Sequence, residues 1–88
     1  MEHERDAHHA VREFIDRTRD KGQYPDGLPI YRVVTVMSSY ILGCEKYLIT
    51  TDIPDGKYYE CTWNMTTGEM YLDVYVRIHN EAIQIGGV

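Results

Sequence analysis

The chain has 88 residues, with 14 acidic against 9 basic side chains and a formal charge of −5. That length makes one domain, and the sign of the charge excludes a general affinity for nucleic-acid phosphates. A hydrophobic content of 43% excludes wholesale disorder, and two cysteines without a CxxC spacing exclude a disulfide framework.

The first residues are charged at once (Glu2, His3, Glu4, Arg5, Asp6), which reads against a secretory signal peptide. No apolar run approaches the roughly 20 residues of a membrane helix. A cytoplasmic protein without a membrane partner is therefore the expectation. A chain this short buries only a modest core, so a homo-oligomer, dimer or larger, is expected too.

Residues 3–20 carry helical periodicity. Ala7, Ala10, Val11, Phe14, Ile15 and Thr18 recur at spacings of three and four and form one apolar stripe. Arg12–Asp16 and Glu13–Arg17 lie four apart and read as surface ion pairs. Gly22 reads as the helix C-cap. His3, His8 and His9 fall on this helix and read as a solvated face. His9 and Glu13 are four apart, but no third metal ligand follows at a readable spacing.

Gln23 to Pro29 (QYPDGLP) is a connector. From Ile30 the period changes to two. Strands are expected over 30–40, 46–53, 57–64 and 69–78, with Gly43, Cys44 and Glu45 turning the chain between the first two. Pro54-Asp55-Gly56 suits a three-residue hairpin and Met65-Thr66-Thr67-Gly68 a four-residue loop. A short fifth strand through Ala82 to Ile85 and a loose tail are both open. The expected fold is α+β, a single domain over 1–88. One N-terminal helix packs on a four-stranded, or five-stranded, antiparallel meander spanning residues 30–85.

The turns set a register. Ile49 falls opposite Cys61 and Tyr47 opposite Trp63; Cys61 falls opposite Leu72 and Tyr59 opposite Val74. One face then collects Tyr47, Ile49, Thr51, Tyr59, Cys61, Trp63, Met70, Leu72, Val74 and Val76, which is apolar enough to receive the helix. A slip of one residue would bury Glu60. The other face carries Tyr58, Glu60, Thr62, Tyr71, Asp73, Tyr75 and Arg77.

That second face holds the candidate site. Glu60 and Asp73 stand opposite each other, an unfavourable pairing of like charges. Three readings remain open. The face is solvated or covers a second copy; or it is a ligand platform; or the two carboxylates act as general acid and base, although nothing marks a nucleophile or cleft. As a platform, Tyr58, Tyr71 and Tyr75 would stack on a base, Glu60 and Asp73 would accept hydroxyls or amines, and Arg77 or Arg32 would meet phosphate. Cys61 and Trp63 read as core. No P-loop, GxGxxG or HExxH is present, so neither a cofactor nor a metal is expected.

The blocks TTDIPDGKYYE and EMYLDVY resemble a family of small uncharacterised phage and prophage proteins. The shared positions are Thr50, Thr51, Pro54, Asp55, Gly56, Tyr58, Tyr59, Glu60, Tyr71, Leu72, Asp73 and Tyr75, within roughly residues 30–85. The resemblance transfers no catalytic residue. It implies a phage origin and a place in the cytoplasm of an infected bacterium. By analogy with other small phage proteins it implies a non-enzymatic, counter-defence role. The first form of that role is sequestration of a nucleotide-derived immune signal. The alternative is protein–protein inhibition of a bacterial defence effector, in the manner of an anti-CRISPR protein, through the tyrosine face or the helix acids Glu4, Glu13, Asp16 and Asp20.

Overall fold

A computed structural model describes residues 2–86. One helix, α1 (Glu4–Thr18), is followed by four strands, β1 (Val33–Ile41), β2 (Cys44–Thr51), β3 (Lys57–Asn64) and β4 (Glu69–Val76). The strands form an antiparallel sheet in the order β1-β2-β3-β4, a meander, with α1 laid across one face. Residues 77–86 add no strand. Among the described residues no helix is long and apolar enough to cross a membrane.

The helix forms where the apolar stripe requires it. Ala7, Val11 and Ile15 are buried against Tyr47, Ile49, Tyr59 and Cys61, with Phe14, Leu28, Tyr31, Val33, Ile53, Met70, Leu72 and Val74 packed around them. Phe14 meets Tyr59 edge-to-face at 6.2 Å. Ala7 lets the helix backbone approach the sheet closely enough for the Cys61 thiol to donate to its carbonyl at 3.6 Å.

The helix ends differently from the sequence reading. Gly22 is not its C-cap, because the backbone already turns extended at Arg19 (φ −62°, ψ 154°). The Arg19 guanidinium donates to the Asp16 carbonyl at 2.7 Å and to the Tyr24 carbonyl at 2.9 Å. It thereby satisfies a helix-end acceptor and ties down the connector. It also pairs with the Asp16 carboxylate at 2.9 Å, so the expected partner of Asp16, Arg12, lies instead over the Tyr31 ring. Gly22 belongs to a turn held by Asp20, whose Oδ1 accepts the Gly22 and Gln23 amides.

The β1–β2 turn comes earlier than Gly43-Cys44-Glu45. It is Leu42-Gly43, with φ of 52° and 77° and Ile41 paired to Cys44. Two residues of positive φ between paired strands are the twist-matched hairpin turn. Cys44 and Glu45 therefore belong to β2. The β2–β3 register also differs, by two residues: Ile49 faces Tyr59 and Tyr47 faces Cys61. The reason is Asp52, which leaves β3 and pairs with Arg32; its Oδ1 accepts the Arg32 amide at 2.8 Å and its amide donates back to the Arg32 carbonyl. The hairpin loop is thereby longer than Pro54-Asp55-Gly56 alone. A shift of two leaves every side chain on its expected face. The β3–β4 register matches the expectation, with Tyr58 facing Tyr75, Glu60 facing Asp73 and Trp63 facing Met70.

Candidate functional site

Alternation along the strands sends Lys46, Leu48 and Thr50 of β2, Tyr58, Glu60 and Thr62 of β3, and Tyr71, Asp73 and Tyr75 of β4 away from the helix. β1 adds Val34, Met37, Ser39 and Ile41 to the same face. Among the described residues no element covers it, since α1 lies on the other side. The face has two halves. Towards β1 it is apolar, with Met37 beside Leu48 and Ile41 beside Cys44. Towards β4 it is aromatic and acidic.

Five of the seven candidate residues come together on that acidic half. Tyr58 and Tyr75 stack on each other, ring centroids 4.9 Å apart and 13° from parallel. Glu60 and Asp73 face each other in the next row. Lys46 reaches Glu60 at 3.3 Å, while no cation pairs with Asp73 among the described residues. The negative charge is felt locally: Asp73 first, then Glu60, holds the Tyr75 hydroxyl above its ordinary pKa. Tyr71 donates its hydroxyl to Glu69 at 3.0 Å.

The two arginines are placed apart. Arg77 follows the end of β4, where its amide donates to the Gly56 carbonyl at 2.8 Å. It lines a cleft of about 240 Å³ with Thr50, Thr51, Ile53, Gly56, Lys57 and Tyr58. Arg32 stands beside Asp52 at the start of β1, the other edge of the sheet, and does not line that cleft.

A second constellation escaped sequence reasoning. Glu45, expected in a turn, sits on the helix face of β2 and is 5% exposed. The buried Tyr47 hydroxyl donates to Glu45 Oε1, and the His3 amide reaches the same oxygen at 3.3 Å. His3 Nδ1 lies 3.0 Å from Oε2, and its ring stacks on Trp63 at 4.2 Å. The hydrogen bond from Tyr47 is the largest cause holding the Glu45 carboxyl below its ordinary range, against the opposing effect of burial; His3 adds to it. Burial first, then the bond to Glu45, pushes Tyr47 up to about 12.

Two of the histidines expected on a solvated helix face are thus half-buried and held by the sheet. His3 is held as described, and His8 Nε2 lies 2.6 Å from the Thr35 hydroxyl. His9 is exposed, 4.0 Å from Glu13. Trp63 is half-buried under His3 and is not part of the fully buried core. The missed signal was parity. A turn placed at Leu42-Gly43 puts Glu45 two residues before Tyr47, on the apolar face, where an unpaired carboxylate would be costly.

Glu2, His3 and Glu45 also bring three potential metal donors within 4.8 Å of one another. Both Glu45 oxygens are already taken by protein donors, so the cluster is complete as a hydrogen-bonded plug.

No curated protein and no solved structure matches this chain. Residues 4–85 match DUF6275, a family of unknown function. The chain belongs to that family, in agreement with its resemblance to an uncharacterised one.

Proposed function

We propose that this member of the family is a non-enzymatic binding protein, and that the tyrosine–carboxylate half of its uncovered sheet face takes a basic group from a protein partner. The observation that carries this reading is the Glu60–Asp73 pair. Like charges directly opposite in a sheet are unfavourable. Lys46 offsets Glu60 alone. A lysine or arginine of a partner, set on Asp73 between Tyr71 and Tyr75, would relieve the repulsion and gain contact with aromatic rings. The formal charge of −5 favours the same kind of partner. Following the resemblance to phage proteins, the partner in this reading is a host defence protein whose basic groove the chain occupies.

A second reading rests on the cleft at the end of β4. Lys57, Arg77 and Tyr58 offer two cations and a ring edge to a phosphate and a base. Because Tyr58 and Tyr75 already stack on each other, a base would lie against the outside of the pair. That is the form in which a nucleotide-derived signal would be sequestered.

Amide chemical shifts of the labelled protein separate the two readings. An arginine- and lysine-bearing peptide should move Glu60, Tyr71, Asp73 and Tyr75, and should lose that effect in Asp73→Asn and in high salt. Shifts confined to the helix acids, or none, would sink the first reading. ADP-ribose moving Lys57, Tyr58 and Arg77, with loss in Arg77→Glu, would establish the second.

A further inference from the structure

The two edges of the sheet are built differently. β4, at one edge, carries Glu69 and Asp73 and runs into Arg77. β1, at the other, lies within the stretch 33–44, VVTVMSSYILGC, which has neither a charge nor a proline in a chain that is 26% charged. Val34, Val36, Met37, Tyr40, Ile41 and Leu42 are all exposed, Met37 at 63%. An edge strand presents a row of unpaired N–H and C=O groups, and monomeric proteins blunt it with charge, proline or a bulge. β1 has one such device, an irregularity between Thr35 and Met37 that leaves Val36 out of the pairing. Beyond it, Met37 to Ile41 run on in regular register.

We infer that this edge pairs with the same edge of a second copy, antiparallel and across a two-fold axis, so that two four-stranded sheets join into one. The self-complementary pattern of the exposed Met37–Ile41 stretch selects a second copy as the occupant. Two chains of formal charge −5 repel in general, and β1 is the strand along which no like charges meet. Antiparallel self-pairing is isologous, so it closes at two copies and does not propagate. A register centred on Ser39 keeps every residue on its face. Met37 then meets the partner's Ile41 on the uncovered side, which extends the apolar strip already formed with Leu48 and Cys44. Ser38 meets the partner's Tyr40 on the helix side.

One strand edge buries less than the roughly 1,600 Å² of a standard interface, so the dimer forms in the micromolar range. The joined sheet carries both tyrosine–carboxylate faces on the same side. This pairing stands whether or not those faces bind a basic partner.

The test is sedimentation of the full chain from roughly 1 to 300 µM. The expected mass rises from 10.3 kDa to the dimer for the wild type and for Tyr75→Ala. It stays monomeric at every concentration for Met37→Lys, which sets a cation against the partner's Ile41 inside the apolar strip. In a Cys44→Ser background, Ser39→Cys should form an interchain disulfide on oxidation. A wild type that stays monomeric, a Met37→Lys protein that dimerises unchanged, or a Tyr75→Ala protein that does not dimerise would each overturn the inference. Should Met37→Lys fail to fold, absence of the Ser39→Cys cross-link overturns it alone.

Discussion

Replacing Tyr47 by Phe removes one oxygen and leaves the ring in place. Tyr47 is fully buried. Its hydroxyl donates to Glu45 Oε1 and accepts the His3 amide at 3.1 Å. After the change, Oε1 keeps only the 3.3 Å contact with that amide. A lost hydrogen bond to a charged group in a buried setting costs about 1.5–3 kcal/mol. For a domain of this size about 2 kcal/mol lowers the melting temperature by roughly 8–16 °C. Urea unfolding followed by circular dichroism at pH 7 should report that loss with an unchanged slope. The pH dependence adds a second handle. The folded-state pKa of Glu45 is depressed, with Tyr47 the first cause. Its contribution is therefore present above the unfolded carboxylate pKa, near 4.5, and is lost as pH falls through the folded value. The gap between wild type and Tyr47→Phe should be full at pH 7 and narrow below that value. A difference under about 0.5 kcal/mol at pH 7, or a gap that does not change in acid, would refute the account of this cluster.

At the alkaline end the sign reverses. Tyr47 and Tyr59 are both pushed up to about 12, chiefly by burial, so their contribution is complete below the ordinary value of 10 and fades between there and 12. Stability should fall above pH 10, and two of the eight tyrosines should ionise, by ultraviolet absorbance, only at about 12 or with unfolding. Leu42 holds a positive φ of 52°, a conformation that costs an L-residue about 1 kcal/mol. Leu42→Asn should stabilise by ~0.5–1 kcal/mol, and a destabilised variant would contradict the turn assignment. Burial pushes the Cys61 thiol up to about 11, with Asp73 and Glu60 adding to it. A thiol reagent at pH 8 should therefore modify Cys44 in the native protein and reach Cys61 only on unfolding.

Periodicity carried most of the architecture. The helix stripe and the alternation of β3 and β4 depend on local spacing alone, and the four-residue loop ending in Gly68 set the β3–β4 register and with it the Tyr58–Tyr75 and Glu60–Asp73 rows. Two of the departures, at Asp52 and Glu45, occur where a distant group decides. Asp52 looks like a paired strand residue until Arg32, twenty positions away, claims both its amide and its carboxylate. The helix end reads as Gly22 because a glycine is the usual cap, whereas the side chain of Arg19 takes that role through Asp16 and Tyr24. Glu45 reads as turn in the sequence because its burial depends on His3 and Tyr47 arriving together. The candidate face was legible as a set of residues. The mutual stacking of Tyr58 and Tyr75, and the distance of Arg32 from the cleft of Arg77, were not, since both depend on side-chain packing and sheet width.

The plug beneath the helix N-terminus also bears on the order of folding. His3 has no capping side chain of its own, and its amide is met by Glu45 and Tyr47, 42 and 44 residues later in the chain. Each strand pairs with its sequence neighbour, so the three hairpins close short loops, while the helix docks only by closing a long one. A fifteen-residue helix is marginal by itself in water. Docking of α1 should therefore follow the rate-limiting barrier, with Val11→Ala speeding unfolding and leaving the refolding rate nearly untouched. Until it docks, the meander shows both faces and the uncharged β1 edge at once. Glu45 waits there as an open carboxylate on a bare apolar surface, a charge that disfavours sheet-on-sheet collapse until the helix arrives to cover it.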